Sequence, residues 1–212
     1  MKTSKLTHVF ILVLISTSLS FLYACDSNSE ENLNLEKPNL TITDTDKEAL
    51  LFMLEEEKLA RDTYVFLDNL WALNQFSNIK ISEQTHMNAI ENLLKQYKIP
   101  YNILSVGKFK NVELQAYYNQ FISSGSESLT NALKIGATIE DLDIVDLQKY
   151  IKTTNNSAVI AVLENLQCGS RNHLRSFLKG LEFYGDNYTP QFLSIEGYNN
   201  IINSLNEKCG KI

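Results

Sequence analysis

The sequence predicts an all-α fold, on three observations. Its 212 residues include only 8 Gly and 3 Pro, too few for the many tight turns of a β-sandwich or β-barrel. Beyond residue 45 the apolar residues recur at alternating steps of four and three, which lines up one face of a helix. With 44% apolar and 21% charged residues, the composition is that of a globular domain rather than a disordered or fibrous chain. A net charge of −6, from 19 basic and 25 acidic residues, argues against nucleic acid as a partner, because phosphates need a basic face.

The first 24 residues read as an export signal and not as fold. Lys2 and Lys5 precede an unbroken apolar run over residues 9–15, too short to span a bilayer as a stable helix. The run leads to Leu22-Tyr23-Ala24-Cys25, which resembles a bacterial lipobox, whose cysteine becomes the lipidated first residue. A plain signal peptide, with Cys25 an incidental thiol, is the alternative. Loss of residues 1–24 removes two lysines and no acid, taking the charge from −6 to −8. Residues 25–45 are then the lipidated cysteine and a polar, flexible tether. The expectation is a domain over 46–212 on the bacterial cell envelope, facing away from the cytoplasm and touching the membrane only through lipid at Cys25.

Four long helices follow. In the first, Met53, Glu57, Ala60, Tyr64, Leu67 and Trp71 form one stripe, with Thr45 and Glu48 as a capping box. The second opens at Ser82 as N-cap and runs to Tyr97, with Glu83, His86, Ile90 and Leu93 on its stripe. The third covers about 126–152, with Leu129, Leu133, Gly136, Glu140, Asp143, Leu147 and Ile151. The fourth covers about 156–184, with Val159, Leu163, Leu166, Ser170, His173, Phe177 and Leu181, and Gly185 caps its end. A long connection over 98–125 contains a short amphipathic helix, and a last short helix covers 194–206. Four long helices with one long middle crossover predict a ferritin-like four-helix bundle rather than a simple up-and-down one.

All four stripes carry polar residues at mid-height: Glu57; Glu83 and His86; Glu140 and Asp143; and His173. A bare buried carboxylate costs several kcal/mol unless it is paired, and the chain has only three arginines to offer, Arg61, Arg171 and Arg175. Two metal ions neutralise such a cluster better than scattered ion pairs. Outside the signal the chain has only two histidines, His86 and His173, and both lie on an inward stripe. Glu83-x-x-His86 sets a carboxylate beside an imidazole on one helix face, the spacing of di-iron and di-manganese carboxylate sites. Alone, that tetrapeptide is weak, since a surface Glu with a half-buried His also produces it. Iron is the expected metal and manganese the alternative.

EEEKLARDTY, SEQTHM, GATIEDLDI and GSRNHLRSF, in this order, resemble a bacterial and archaeal family of ferritin-like proteins related to the rubrerythrins. The likeness covers nearly all of residues 46–205 and implies a bundle with a dinuclear site, but no substrate. It also exposes a departure. A full ferritin-like fourth helix offers Glu-x-x-His, whereas this chain has Ser170-Arg171-Asn172-His173. Asp143 is expected to replace the missing carboxylate, with Ser170 leaving room for a small oxidant. Arg61 is either a hydrogen-bond donor to a ligand carboxylate or a surface ion pair, and Tyr64 is either core or redox partner. Glu55 and Glu56 are expected in solvent. Cys168 and Cys209 are either a disulfide or two unrelated thiols.

Three functions compete. One is an envelope redox enzyme acting on peroxide or oxygen, with an external electron donor because no rubredoxin-like cysteine pairs occur in the chain. Another is a metal-binding or sensing module without turnover. The last is a structural lipoprotein with a polar core. A homodimer is compatible with each.

Overall fold

Six helices and no strand make up the described residues, 41–210, of the computed structural model. They are α1 (Asp44–Trp71), α2 (Asn74–Gln96), α3 (Val112–Gly125), α4 (Leu129–Thr153), α5 (Ser157–Phe183) and α6 (Ile195–Ile202). The segment expected to be an export signal, Cys25 and the expected tether up to residue 40 lie outside the described residues. No helix among the described residues is long and apolar enough to cross a membrane.

Local chemistry explains most helix ends. α1 starts on a capping box, but two residues earlier than Thr45 and Glu48. The Thr43 hydroxyl accepts from Asp46 N–H at 3.1 Å, and the Asp46 carboxylate accepts from Thr43 N–H at 2.9 Å. The same motif spacing occurs at both places, but the acid of the earlier one, Asp46, is buried, whereas Thr45 and Glu48 are exposed. α2 begins eight residues before Ser82, at Asn74, and its N-cap Leu73 makes no side-chain bond. Packing sets that start: Phe76 and Ile79 extend the Glu83–His86 stripe upstream and are buried. α5 follows an Asn156 cap and ends in a Schellman turn. Gly185 takes the left-handed conformation there, with φ +72°, while Asp186 N–H reaches the Leu181 carbonyl.

Two apolar clusters flank one polar layer. One holds Tyr64, Leu67, Phe76, Leu133, Phe177 and Leu181; the other holds Leu50, Met53, Ile90, Leu147, Val159 and Leu163. Helices α1 and α5 run from the second cluster to the first, whereas α2 and α4 run the opposite way. So α1–α2 and α4–α5 are antiparallel pairs, and they pack on each other through α1 with α4 and α2 with α5. Because α2 and α4 are parallel, the chain between them must return along the molecule, and α3 packs on α1 and α4 as it does so. The layer between the clusters is crossed by all four long helices at Glu57, at Glu83 and His86, at Glu140 and Asp143, and at Ser170 and His173.

The crossover is anchored from inside α1. Lys58 is almost wholly buried, pairs with Asp62 at 2.5 Å, and donates to the Ser105 and Lys108 carbonyls at 3.1 and 3.0 Å. Its ammonium also lies 4.1 Å from the centre of the Phe109 ring. Asp62 further accepts from Gly107 N–H and from Arg61. A similar anchor on α4, Asp141, accepts from the Gln191, Phe192 and Leu193 N–H groups and from the Tyr188 hydroxyl, which fixes the segment between α5 and α6.

Candidate metal centre

Glu83 stands between the two histidines. Its Oε2 lies 2.9 Å from His86 Nδ1 and its Oε1 lies 2.8 Å from His173 Nδ1. On the α1 side, His86 Nδ1 also meets Glu57 Oε2 at 3.1 Å. On the α4 side, His173 Nδ1 meets Glu140 Oε2 at 3.5 Å. The result is two sets of three donors, Glu57–Glu83–His86 and Glu83–Glu140–His173, within each of which the ligand atoms lie within 4.8 Å of one another. Glu83 belongs to both. The imidazole rings stack, their centroids 5.6 Å apart.

Asp143 is in neither set. Its Oδ2 takes the Ser170 hydroxyl at 2.5 Å, a proton for which the Leu166 carbonyl at 2.9 Å competes. Ser170 is thus the partner of the carboxylate expected to replace a glutamate there. Asp143 feels the carboxylates of Glu57 and Glu140, which together with burial favour its protonated, neutral form. Tyr64 is both core and site: fully buried, it donates to Glu140 Oε1 at 2.6 Å. Arg61 reaches no ligand carboxylate. Its guanidinium bonds Asp62 at 2.6 Å and Gln84 at 2.7 Å.

Burial decides the electrostatics. It pushes Glu57, Glu140 and Asp143 above the usual carboxylate range, and neighbouring carboxylates add to the rise. Burial would also raise Glu83, but the two imidazoles facing it more than offset that and hold it low. Burial would lower His173, yet Glu83 and Glu140 bring it up to about 9, and His86 is likewise raised by Glu57 and Glu83. Without metal, the cluster therefore keeps its charges apart by holding protons.

The donors fit a metal pair. Glu57 Oε1, Glu83 Oε1, Asp143 Oδ1 and His173 Nδ1 are buried and lack any aligned hydrogen-bond partner. His173 Nδ1 and Glu83 Oε1 lie only 2.8 Å apart, so it is alignment and not distance that is missing. Orphaned donors and acceptors at this density are rare in folded proteins, and bound cations would supply what the carboxylate oxygens lack. Carboxylate oxygen mixed with imidazole suits iron, manganese or zinc.

Sequence reasoning missed two residues beside the centre and one that holds the crossover. Glu56, expected in solvent, is buried with both carboxylate oxygens lacking a donor, and burial with Asp143 and Asp146 beside it pushes it up. Glu55 is half-buried and caps the crossover by accepting from the Lys110 and Asn111 N–H groups. Gly169 gives His86 its room, since a Cβ there would lie 2.7 Å from Nε2. The only warning was the density of charged and small residues in EEEKLARDTY and GSRNHLRSF.

Cys168 and Cys209 form a disulfide with Cα atoms 5.6 Å apart. It ties the chain end to α5. Glu207 holds the same segment, accepting from Arg171 at 2.5 and 2.8 Å and from Arg175 at 3.0 Å.

Fold and site together define an all-α protein with a buried carboxylate–imidazole cluster shared among four helices. By sequence the chain belongs to the family described as "Uncharacterized protein domain (DUF2202)", whose profile matches residues 46–205. It is similar to the uncharacterized protein MJ0754 of Methanocaldococcus jannaschii, at 49% identity over 173 residues, which is 81% of this chain and 94% of the relative. The crystal structure of the hypothetical protein MJ0754 superposes with a TM-score of 0.78, covering 81% of this chain and 99% of that one.

Proposed function

We propose that the domain is a ferritin-like four-helix bundle holding a dinuclear metal centre, most suited to iron with manganese as the alternative, and acting in redox chemistry on peroxide or oxygen. The single observation carrying this reading is Glu83, one carboxylate oriented toward two histidines and common to two three-donor sets. The antiparallel pairs joined by a long crossover support the ferritin-like reading. Glu57, Glu83 and His86 would hold one ion, and Glu83, Glu140 and His173 the other. When bound there, carboxylate-held iron or manganese supplies one-electron redox chemistry. Tyr64 orients Glu140 through its hydroxyl, and Ser170 orients Asp143. A purely structural polar core is disfavoured because its own side chains leave several buried polar atoms unpaired. Storage does not suit an anchored single domain. We place the protein on the envelope, tethered by lipid at Cys25, with an external donor supplying electrons.

Elemental analysis of the domain starting at residue 26 tests the centre: close to two iron or manganese ions per chain is the expected result. No retention and no uptake would overturn it. Mass spectrometry of the mature N-terminus tests the tether, since an unmodified residue downstream of Cys25 would show ordinary signal cleavage.

A further inference from the structure

We propose that Cys168 and Cys209 are a redox-active pair that passes two electrons to the metal centre, taking them from an external dithiol. The proposal rests on the metal reading above and names the class of its electron donor. A cavity of about 290 Å3 has His86 and His173 in its wall, and Cys209 and Gly169 line the same space. Cys168 is bonded directly to Gly169, whose Cα side meets the His86 ring with no Cβ between them. Cys209 thus lines the same cavity as both imidazoles, and Cys168 is the chain neighbour of the glycine against which His86 packs. Cys209 is only half-buried, so an external thiolate can attack its sulfur, while Cys168 on α5 is buried.

The disulfide is also redundant as a fastener. Glu207 is held by Arg171 and Arg175, the Glu207 N–H donates to Asn172 Oδ1 at 2.9 Å, and Asn172 Nδ2 donates to the Glu207 carbonyl at 3.1 Å. These bonds keep Cys209 beside Cys168 after reduction, ready to close again. Asn172 Nδ2 also lies 3.4 Å from Cys209 Sγ and would stabilise a thiolate. In the forward step two thiols lose two protons and two electrons and form one S–S bond. One molecule of hydrogen peroxide takes those two electrons and two protons and becomes two waters. The external dithiol then reduces the S–S bond and is itself oxidised to a disulfide.

The full chain is reduced, freed of reductant without air, loaded with ferrous iron and counted for iron. It then receives one equivalent of hydrogen peroxide. Alkylation and peptide mass spectrometry read Cys168 and Cys209, and absorption reads ferric iron. Iron-loaded protein should end with the disulfide closed and the iron ferrous, closing the bond at least about ten-fold faster than metal-free protein. Cys209→Ser, and Cys168→Ser as a second variant, should bind the same iron and end ferric. If iron is bound but the thiols stay reduced, or close no faster than without metal, the pair is a structural clasp and the proposal falls alone. Equal ferric absorption in parent and both variants overturns it too. A chain that takes up no iron overturns the metal reading and the proposal with it.

Discussion

Gly169 presents no side chain to His86, and a Cβ at that position would stand 2.7 Å from His86 Nε2 and 2.8 Å from Cε1. The imidazole backs onto bare helix, which turns its Nδ1 toward Glu57 and Glu83. Gly169→Ala favours the helix by about 1 kcal/mol but displaces the ring. Metal affinity at the Glu57–Glu83–His86 set should fall about 10- to 100-fold while the helical circular dichroism is kept. Unchanged affinity for both ions would show that the ring has room to shift.

The metal-free protein should become less stable as pH rises. Burial lifts Glu57, Glu140 and Asp143 above their ordinary values of 4.5, 4.5 and 3.8. His173 rises from 6.5 to about 9. Groups raised in the folded state stabilise it fully below their unfolded values and lose that contribution as pH passes their folded values. Glu83 works in the opposite sense, but only at strongly acid pH. Thermal unfolding from pH 5 to pH 9 should show a falling midpoint without metal and a nearly flat one with metal. A midpoint that rises with pH in the metal-free protein would contradict the charge assignment.

Much of this centre was legible because the polar layer interrupts four apolar stripes at one height. Glu57, Glu83, His86, Glu140 and His173 each break a run of three- and four-residue steps. What failed was the assumption that a helix has one wet face. α1 is buried on almost every side from Met53 to Tyr64, so Glu56, Lys58 and Asp62 are interior although their helical angles point off the stripe. The Ser82 cap failed for a related reason: a good capping residue inside a helix is silent when packing extends the helix past it. Spacing alone could not tell that Asp143 meets the Ser170 hydroxyl, because that contact is made across to another helix.

Tyr64→Phe tests how Glu140 is held. Loss of the 2.6 Å hydrogen bond leaves a buried carboxylate oxygen short of its donor, a cost of about 1–3 kcal/mol. Affinity for the second ion should drop about 10- to 100-fold in anaerobic ferrous titration, with the first ion unaffected. Equal loss at both ions would point to general loosening of the core.

Asp62→Ala should destabilise the fold by about 3 kcal/mol in urea, since it strands the buried Lys58 ammonium. Metal stoichiometry should survive, because the pair anchors the crossover and not the centre. A variant that unfolds at the parent's urea midpoint would show that the Ser105 and Lys108 carbonyls satisfy Lys58 unaided.

Asp143→Asn should cost less metal than loss of either three-donor set, because Asp143 Oδ2 is already taken by Ser170. Equilibrium titration should still show two ions per chain, the weaker of them less tightly bound. Complete loss of one ion would make Asp143 a ligand in its own right.

The most direct measurement compares metal content in three proteins purified and loaded with ferrous iron side by side. The parent should hold close to two ions per chain, Glu57→Gln close to one, and Glu83→Gln none or nearly none, because Glu83 alone serves both sets. Each should keep the parent's helical circular dichroism. Glu83→Gln retaining two ions, or a parent that retains none, would contradict a dinuclear centre bridged by that carboxylate.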